Sequence, residues 1–144
     1  MSFDPDYLEQ LVACDAALDA LGHAERAYAE LPHDPTVQSY YGFLMAAERG
    51  RLRHGLELCE LALGAPEHSV LVELNAARAY IKAGRKPDAV RCLQGGLARA
   101  PGHVLLVQEL ARLGTRQAPV LPWLPRRSWL NKQLGLIAVR LGLR

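Results

Sequence analysis

The 144-residue chain has little from which to build a sheet, a metal centre or a membrane span. Val, Ile and Thr are sparse, and no stretch alternates apolar and polar with a period of two, so a β-sheet core is excluded. Cysteine is scarce: Cys14, Cys59 and Cys92 form no C-x-x-C pair. An odd, scattered set excludes a disulfide framework and points to reduced thiols in a cytoplasmic protein. The longest apolar runs, Val104–Val107 and Leu136–Val139, fall far short of the ~20 residues a bilayer needs. The start, MSFDPDYLEQ, is acidic and has no apolar core, so it does not read as a signal peptide.

Catalytic patterns are missing too. There is no phosphate loop, G-x-S-x-G or H-E-x-x-H, and no cluster of metal ligands. A non-enzymatic protein without cofactor or metal is therefore expected. The formal net charge of +2 is too close to neutral to favour nucleic acid, and the basic Arg51–His54 patch reads as solvated. Charge is nevertheless uneven. Residues 1–31 hold seven acids and one base, whereas residues 114–144 hold six bases and no acid. The ends either attract each other head to tail or form two separately solvated faces.

What is present is helix. Leu, Ala and Arg dominate, and all three favour it. Asp4-Pro5 and Asp34-Pro35 are helix starts, with Asp as N-cap and Pro in the first turn. From Asp4-Pro5 the pattern continues to about Leu31, either unbroken or with a turn near Cys14–Ala16. The helix after Asp34-Pro35 runs to about Arg49, with Gly50 as its stop. The next spans about Leu52–Leu63, with Leu52, Leu56, Cys59 and Leu63 as its apolar stripe. Ser69 is the expected cap of a helix ending at Gly84, and Pro87 opens its partner, which runs to about Arg99.

These features repeat. Pro32, Pro66 and Pro101 are 34 and 35 apart, Gly50 and Gly84 are 34 apart, and Ala20, Gly55 and Ala89 are 35 and 34 apart. A period of this size predicts stacked helical hairpins. The small residues mark where two helices cross closely. His33, His68 and His103 are also 35 apart, but each falls in a turn between repeats. Successive turns lie at least ~16–20 Å apart. That is too far to share one zinc ion.

The third repeat resembles the tetratricopeptide repeat, W-x2-L-G-x2-Y…A-x3-F…P. Ala76-Ala77 stand at the Leu-Gly positions, Tyr80 at the Tyr, Ala89 at the Ala and Pro101 at the Pro, while Leu93 replaces the Phe and Glu73 the Trp. In the second repeat Tyr41-Gly42, Met45, Gly55 and Cys59 take the matching places, with one extra residue in the inner turn. The resemblance implies an all-α fold: a tetratricopeptide-like helix-turn-helix solenoid of about three hairpins plus a C-terminal capping helix. It also implies a single domain over 1–144, with repeats at about 1–33, 34–67 and 68–102, the first matching weakly. Residues 103–144 would supply an extra helix, a Pro-rich linker and the last helix. The block from Ala118 to Gly135 is similar to a tail that follows the last repeat in some uncharacterised bacterial members.

In that family the first helix of each hairpin lines a concave groove. Asn75, Arg78 and Lys82 share one helical stripe. Shifting by one repeat gives Tyr40, Phe43 and Ala47 on one side, and Glu109, Arg112 and Arg116 on the other. A further shift back gives Asp6, Glu9 and Ala13. The expected peptide-binding groove is thus Glu9, Tyr40, Phe43, Asn75, Arg78, Lys82, Arg112 and Arg116, acidic at one end, aromatic in the middle and basic at the other. Tyr40 and Phe43 would anchor an apolar side chain, Asn75 would bond the peptide backbone, and Arg78 and Lys82 would pair with its acids. The alternative is that both aromatics belong to the core and the bases to a solvated face.

The expected partner is therefore a peptide segment of another protein, bound by an adaptor or scaffold. The alternatives are a chaperone like those of type III secretion, and a self-assembly module. The final helix, with Leu130, Leu134, Ile137 and Leu141 on one stripe, is too apolar to face water on all sides. It caps the array, forms a homodimer or lies on an anionic membrane surface. Pro119, Pro122 and Pro125 before it, three apart, favour a polyproline II stretch with all three on one edge.

Overall fold

The computed structural model describes residues 2–114. Seven helices account for most of them: α1 (Pro5–Ala13), α2 (Ala17–Glu30), α3 (Pro35–Glu48), α4 (Leu52–Leu63), α5 (Val70–Lys82), α6 (Lys86–Arg99) and α7 (Val104–Arg112). No strand occurs among the described residues, and the class is all-α. The predicted C-terminal helix, its Pro-rich linker and Arg116 lie outside them.

Local chemistry sets the boundaries. The Asp4 carboxylate accepts from the Asp6 and Tyr7 amides, and that of Asp34 from Thr36 and Val37, in each case with proline next in line. Ser69 occupies the N-cap of α5, but its hydroxyl makes no capping bond and instead meets Thr36 Oγ1 at 3.5 Å. The first helical stretch breaks at Cys14–Ala16, the second of the two readings above. The break turns on Asp15, whose φ of 58° matches Gly50 (61°) and Gly84 (73°) at the equivalent places. Aspartate tolerates this left-handed conformation better than most residues, which explains a turn with no glycine to announce it. The Ala16 amide closes on Leu11 O and the Arg85 amide on Tyr80 O. In the middle turn the Arg51 amide reaches Met45 O, one residue further back, which accommodates the extra residue there.

Each even helix packs between the odd helices before and after it: α2 on α1 and α3, α4 on α3 and α5, α6 on α5 and α7. The odd helices also line up directly, α3 against α5 and α5 against α7. Helices α3 and α4 cross closely. A Cβ added to Gly42 would lie 2.6 Å from the Gly55 carbonyl oxygen, and one added to Gly55 would lie 2.4 Å from that of Gly42. Small side chains therefore define the inner face of α4, which buries Gly55, Leu58, Cys59 and Ala62. The expected Leu52–Leu56–Cys59–Leu63 stripe coincides with it in part: Cys59 is fully buried and Leu56 and Leu63 pack half-buried against the core, while Leu52 at the helix start is exposed.

Two clusters form the core. Leu8, Leu21, Tyr40, Leu44 and Met45 join α1, α2 and α3. Cys59, Leu74, Tyr80, Leu93 and Leu106 join α4 to α7. Each fully buried leucine contributes about 1.5–3 kcal/mol. Helix α5 sits at the centre, and every residue from Val72 to Tyr80 is buried, polar ones included.

Candidate functional site

Helices α1, α3, α5 and α7 each follow their neighbour in the same sense, because an antiparallel helix intervenes every time. Their shared face is concave and encloses a cleft of about 690 Å³. Val12, Phe43, Ala47, Ile81 and Leu105 supply most of its apolar lining, and Glu9, Asp15, Glu48, Arg78, Lys82, Glu109 and Arg112 its charges.

Arg78 organises the floor. Its Nη1 and Nη2 donate to the two carboxylate oxygens of Glu9 at 2.8 and 3.0 Å, its Nε donates to Glu109 at 3.3 Å, and Nη1 also reaches Asn75 Oδ1 at 3.3 Å. The guanidinium thus uses four of its five N–H donors inside the protein. It also lies 5.4 Å from the centre of the Phe43 ring, within cation–π range. Arg112 completes the set with a 3.3 Å bond to Glu109. Two carboxylates face two guanidiniums, so the network is formally neutral.

Tyr40 is fully buried and donates its hydroxyl proton to Glu9 at 2.7 Å. Burial pushes the Tyr40 pKa up, and the adjacent Glu9 charge pushes it further. For Glu9 burial alone would raise the pKa, but the bonds and charge of Arg78 and the Tyr40 hydroxyl outweigh it and hold the value low. Burial would lower that of Arg78, and Glu9 overcomes this in turn. Asn75 is fully buried too, its amide donating to Ser39 Oγ at 3.1 Å.

Seven of the eight expected groove residues are therefore gathered on one face, but in two groups. Tyr40, Asn75, Arg78 and Glu9 are bonded to one another, with Tyr40 and Asn75 beneath the cleft surface. Phe43 is mostly buried, with its edge lining the cleft. The pairing expected between Arg78 and a ligand's acid meets a guanidinium whose charge Glu9 and Glu109 already balance. Lys82 is exposed and has no ion-pair partner among the described residues. Of the network's further partners, Glu109 stands on the shifted stripe itself, whereas Ser39 lies outside it, one hydrogen bond from Asn75. Both sit a repeat away from Asn75 (34 and 36 positions), and that spacing was the available signal.

Of the three spaced histidines, His68 is held locally, by Ala65 O at 3.0 Å and Glu73 at 3.1 Å. Arg99 meets the same Glu73 oxygen at 2.5 Å. This cluster ties α5 to α6 and lines no part of the cleft. No helix among the described residues is long and apolar enough to cross a membrane.

No protein-family model and no curated protein matches the chain.

Proposed function

We propose that the chain is a non-enzymatic, cytoplasmic interaction module of the tetratricopeptide-repeat kind, which holds a segment of another protein in the cleft across α1, α3, α5 and α7. The observation that carries this reading is the cleft itself: one concave apolar surface rimmed by charge, to which all four odd helices contribute. It has room for several side chains, and apolar patches interleaved with a few placed polar groups and rimmed by charge are the form recognition surfaces take. The ligand contacts fall to Phe43, Ile81 and Leu105 for apolar side chains and to Lys82 for an acid. Glu9, Tyr40, Asn75 and Arg78 hold the floor in shape beneath them.

The test fills the cleft without disturbing the core. Ala13 is exposed and Ala47 half-buried, and both line the cleft. Peptides selected from a displayed random library on the full chain should lose binding to an Ala13→Trp/Ala47→Trp variant whose helicity and melting temperature are unchanged. Selection of no peptide, or of peptides that bind the filled variant equally well, overturns the reading.

A further inference from the structure

The cleft has a charge direction. Because the odd helices run in the same sense, their C-terminal ends share one edge of the cleft, in the order α1, α3, α5, α7. Asp15 follows the end of α1, Glu48 is the last residue of α3, Lys82 the last of α5 and Arg112 the last of α7, and all four line the cleft. Along this edge the sign therefore runs acid, acid, base, base. Arg112 is partly balanced by Glu109. Asp15, Glu48 and Lys82 have no ion-pair partner among the described residues, and each is exposed at the rim. Counted with Arg112, the Arg78 network below them is neutral, so among the described residues Asp15, Glu48 and Lys82 are the uncompensated charges at this edge.

Resting on the reading above, we infer that the preferred ligand is a short extended segment of mixed charge. Its apolar centre lies over Phe43 and Ile81, its basic end against Asp15 and Glu48, and its acidic end against Lys82 and Arg112. Two interhelical spacings separate Asp15 from Lys82, ~16–20 Å, which about five or six extended residues cross. A uniformly acidic or uniformly basic segment meets repulsion at one end whichever way it lies. The geometry thus selects for charge arrangement, where the apolar lining alone would accept any hydrophobic segment.

Four blocked heptapeptides with a Leu-Phe-Leu centre test this, flanked by Lys pairs and Glu pairs in either order, by Glu on both sides, or by Lys on both sides. Binding to the full chain is followed by fluorescence anisotropy at low salt, where exposed charges are least screened. The better of the two mixed peptides should bind about three- to tenfold tighter than either uniform one, as two exposed ion pairs allow. Glu48→Lys should shift the preference to the all-Glu peptide, and Lys82→Glu to the all-Lys peptide. Binding that is lost in the cleft-filled variant but ignores charge order in all three proteins overturns the charge direction and leaves the cleft standing. Binding by none of the peptides, or equal binding to the cleft-filled variant, removes the cleft reading and this inference together.

Discussion

Arg78 and Glu9 stand 69 positions apart in the chain and share two hydrogen bonds, of 2.8 and 3.0 Å. A planar guanidinium matches a carboxylate in this two-point fashion, so the pair fixes orientation as well as distance. Both side chains are largely withdrawn from water, 9% and 15% exposed. The pair links α1 to α5 over the Phe43 ring of the helix between them.

Removing one member leaves the other charge poorly solvated. Arg78→Met should therefore destabilise the fold by about 3–5 kcal/mol in urea unfolding, with Glu9 and Glu109 left facing each other. A loss below about 1 kcal/mol would mean that the pair is not closed in solution.

The same pair predicts an acid-sensitive stability. The folded-state pKa of Glu9 lies below its ordinary 4.5, so the stabilisation is complete above that value. It is lost as the pH falls through the depressed folded value, at no more than about 1.4 kcal/mol per pH unit for one proton. Urea midpoints measured from pH 6 to 3 should fall at the acid end. In Glu9→Gln that fall should be shallower and the neutral plateau lower. Parallel profiles for the two proteins would assign the acid sensitivity to other carboxylates.

Glycine substitutions should separate into opposite signs. Gly42→Ala drives a methyl group into the Gly55 carbonyl, a backbone atom that cannot swing aside, and should cost about 1–3 kcal/mol or more. Gly22 lies within α2 with nothing inside 4 Å of its added Cβ, so Gly22→Ala should stabilise by about 0.5–1 kcal/mol. Thermal melts of the two variants should shift in opposite directions; stabilisation by Gly42→Ala would contradict the α3–α4 crossing, and destabilisation by Gly22→Ala would contradict the open space at Gly22.

Thiol labelling reads the packing independently. Burial pushes the Cys59 thiol up to about 12 and that of Cys92 up to about 11, while Cys14 is exposed. A thiol-reactive dye at pH 7.5 should modify Cys14 first and half-buried Cys92 more slowly, with Cys59 reacting only as the helices open. Fast modification of Cys59, located by peptide mapping, would place α4 outside the core.

Helix positions were legible because prolines, glycines and small residues recur every 34 or 35 positions, and each has a local steric reason to do so. The extra residue of the second inner turn was equally visible, and it appears as the longer Arg51–Met45 closure. The face of α4 was legible in part: Leu56, Cys59 and Leu63 do pack on the core, but an apolar stripe weighs side-chain size and passes over Gly55 and Ala62, which the Gly42–Gly55 crossing buries. The stripe on α5 did point to the cleft. Whether its members bond a ligand or one another depends on how close helices α1, α5 and α7 approach, and one-dimensional spacing carries no measure of that. Burial of Asn75 and Arg78 followed from it.

The Glu9–Arg78 bond also bears on how the chain comes apart. Stacked hairpins that touch only their neighbours can fray from either end, each with its own stability. A bond from the first helix to the fifth bypasses α3 and sets the first hairpin's loss against a buried charge in the third. Unfolding of residues 2–114 should then be cooperative, a single transition in which hydrogen exchange of α1 and of α5 coincides with the loss of circular dichroism. Cutting the bond should let α1 and α2 melt ahead of the rest.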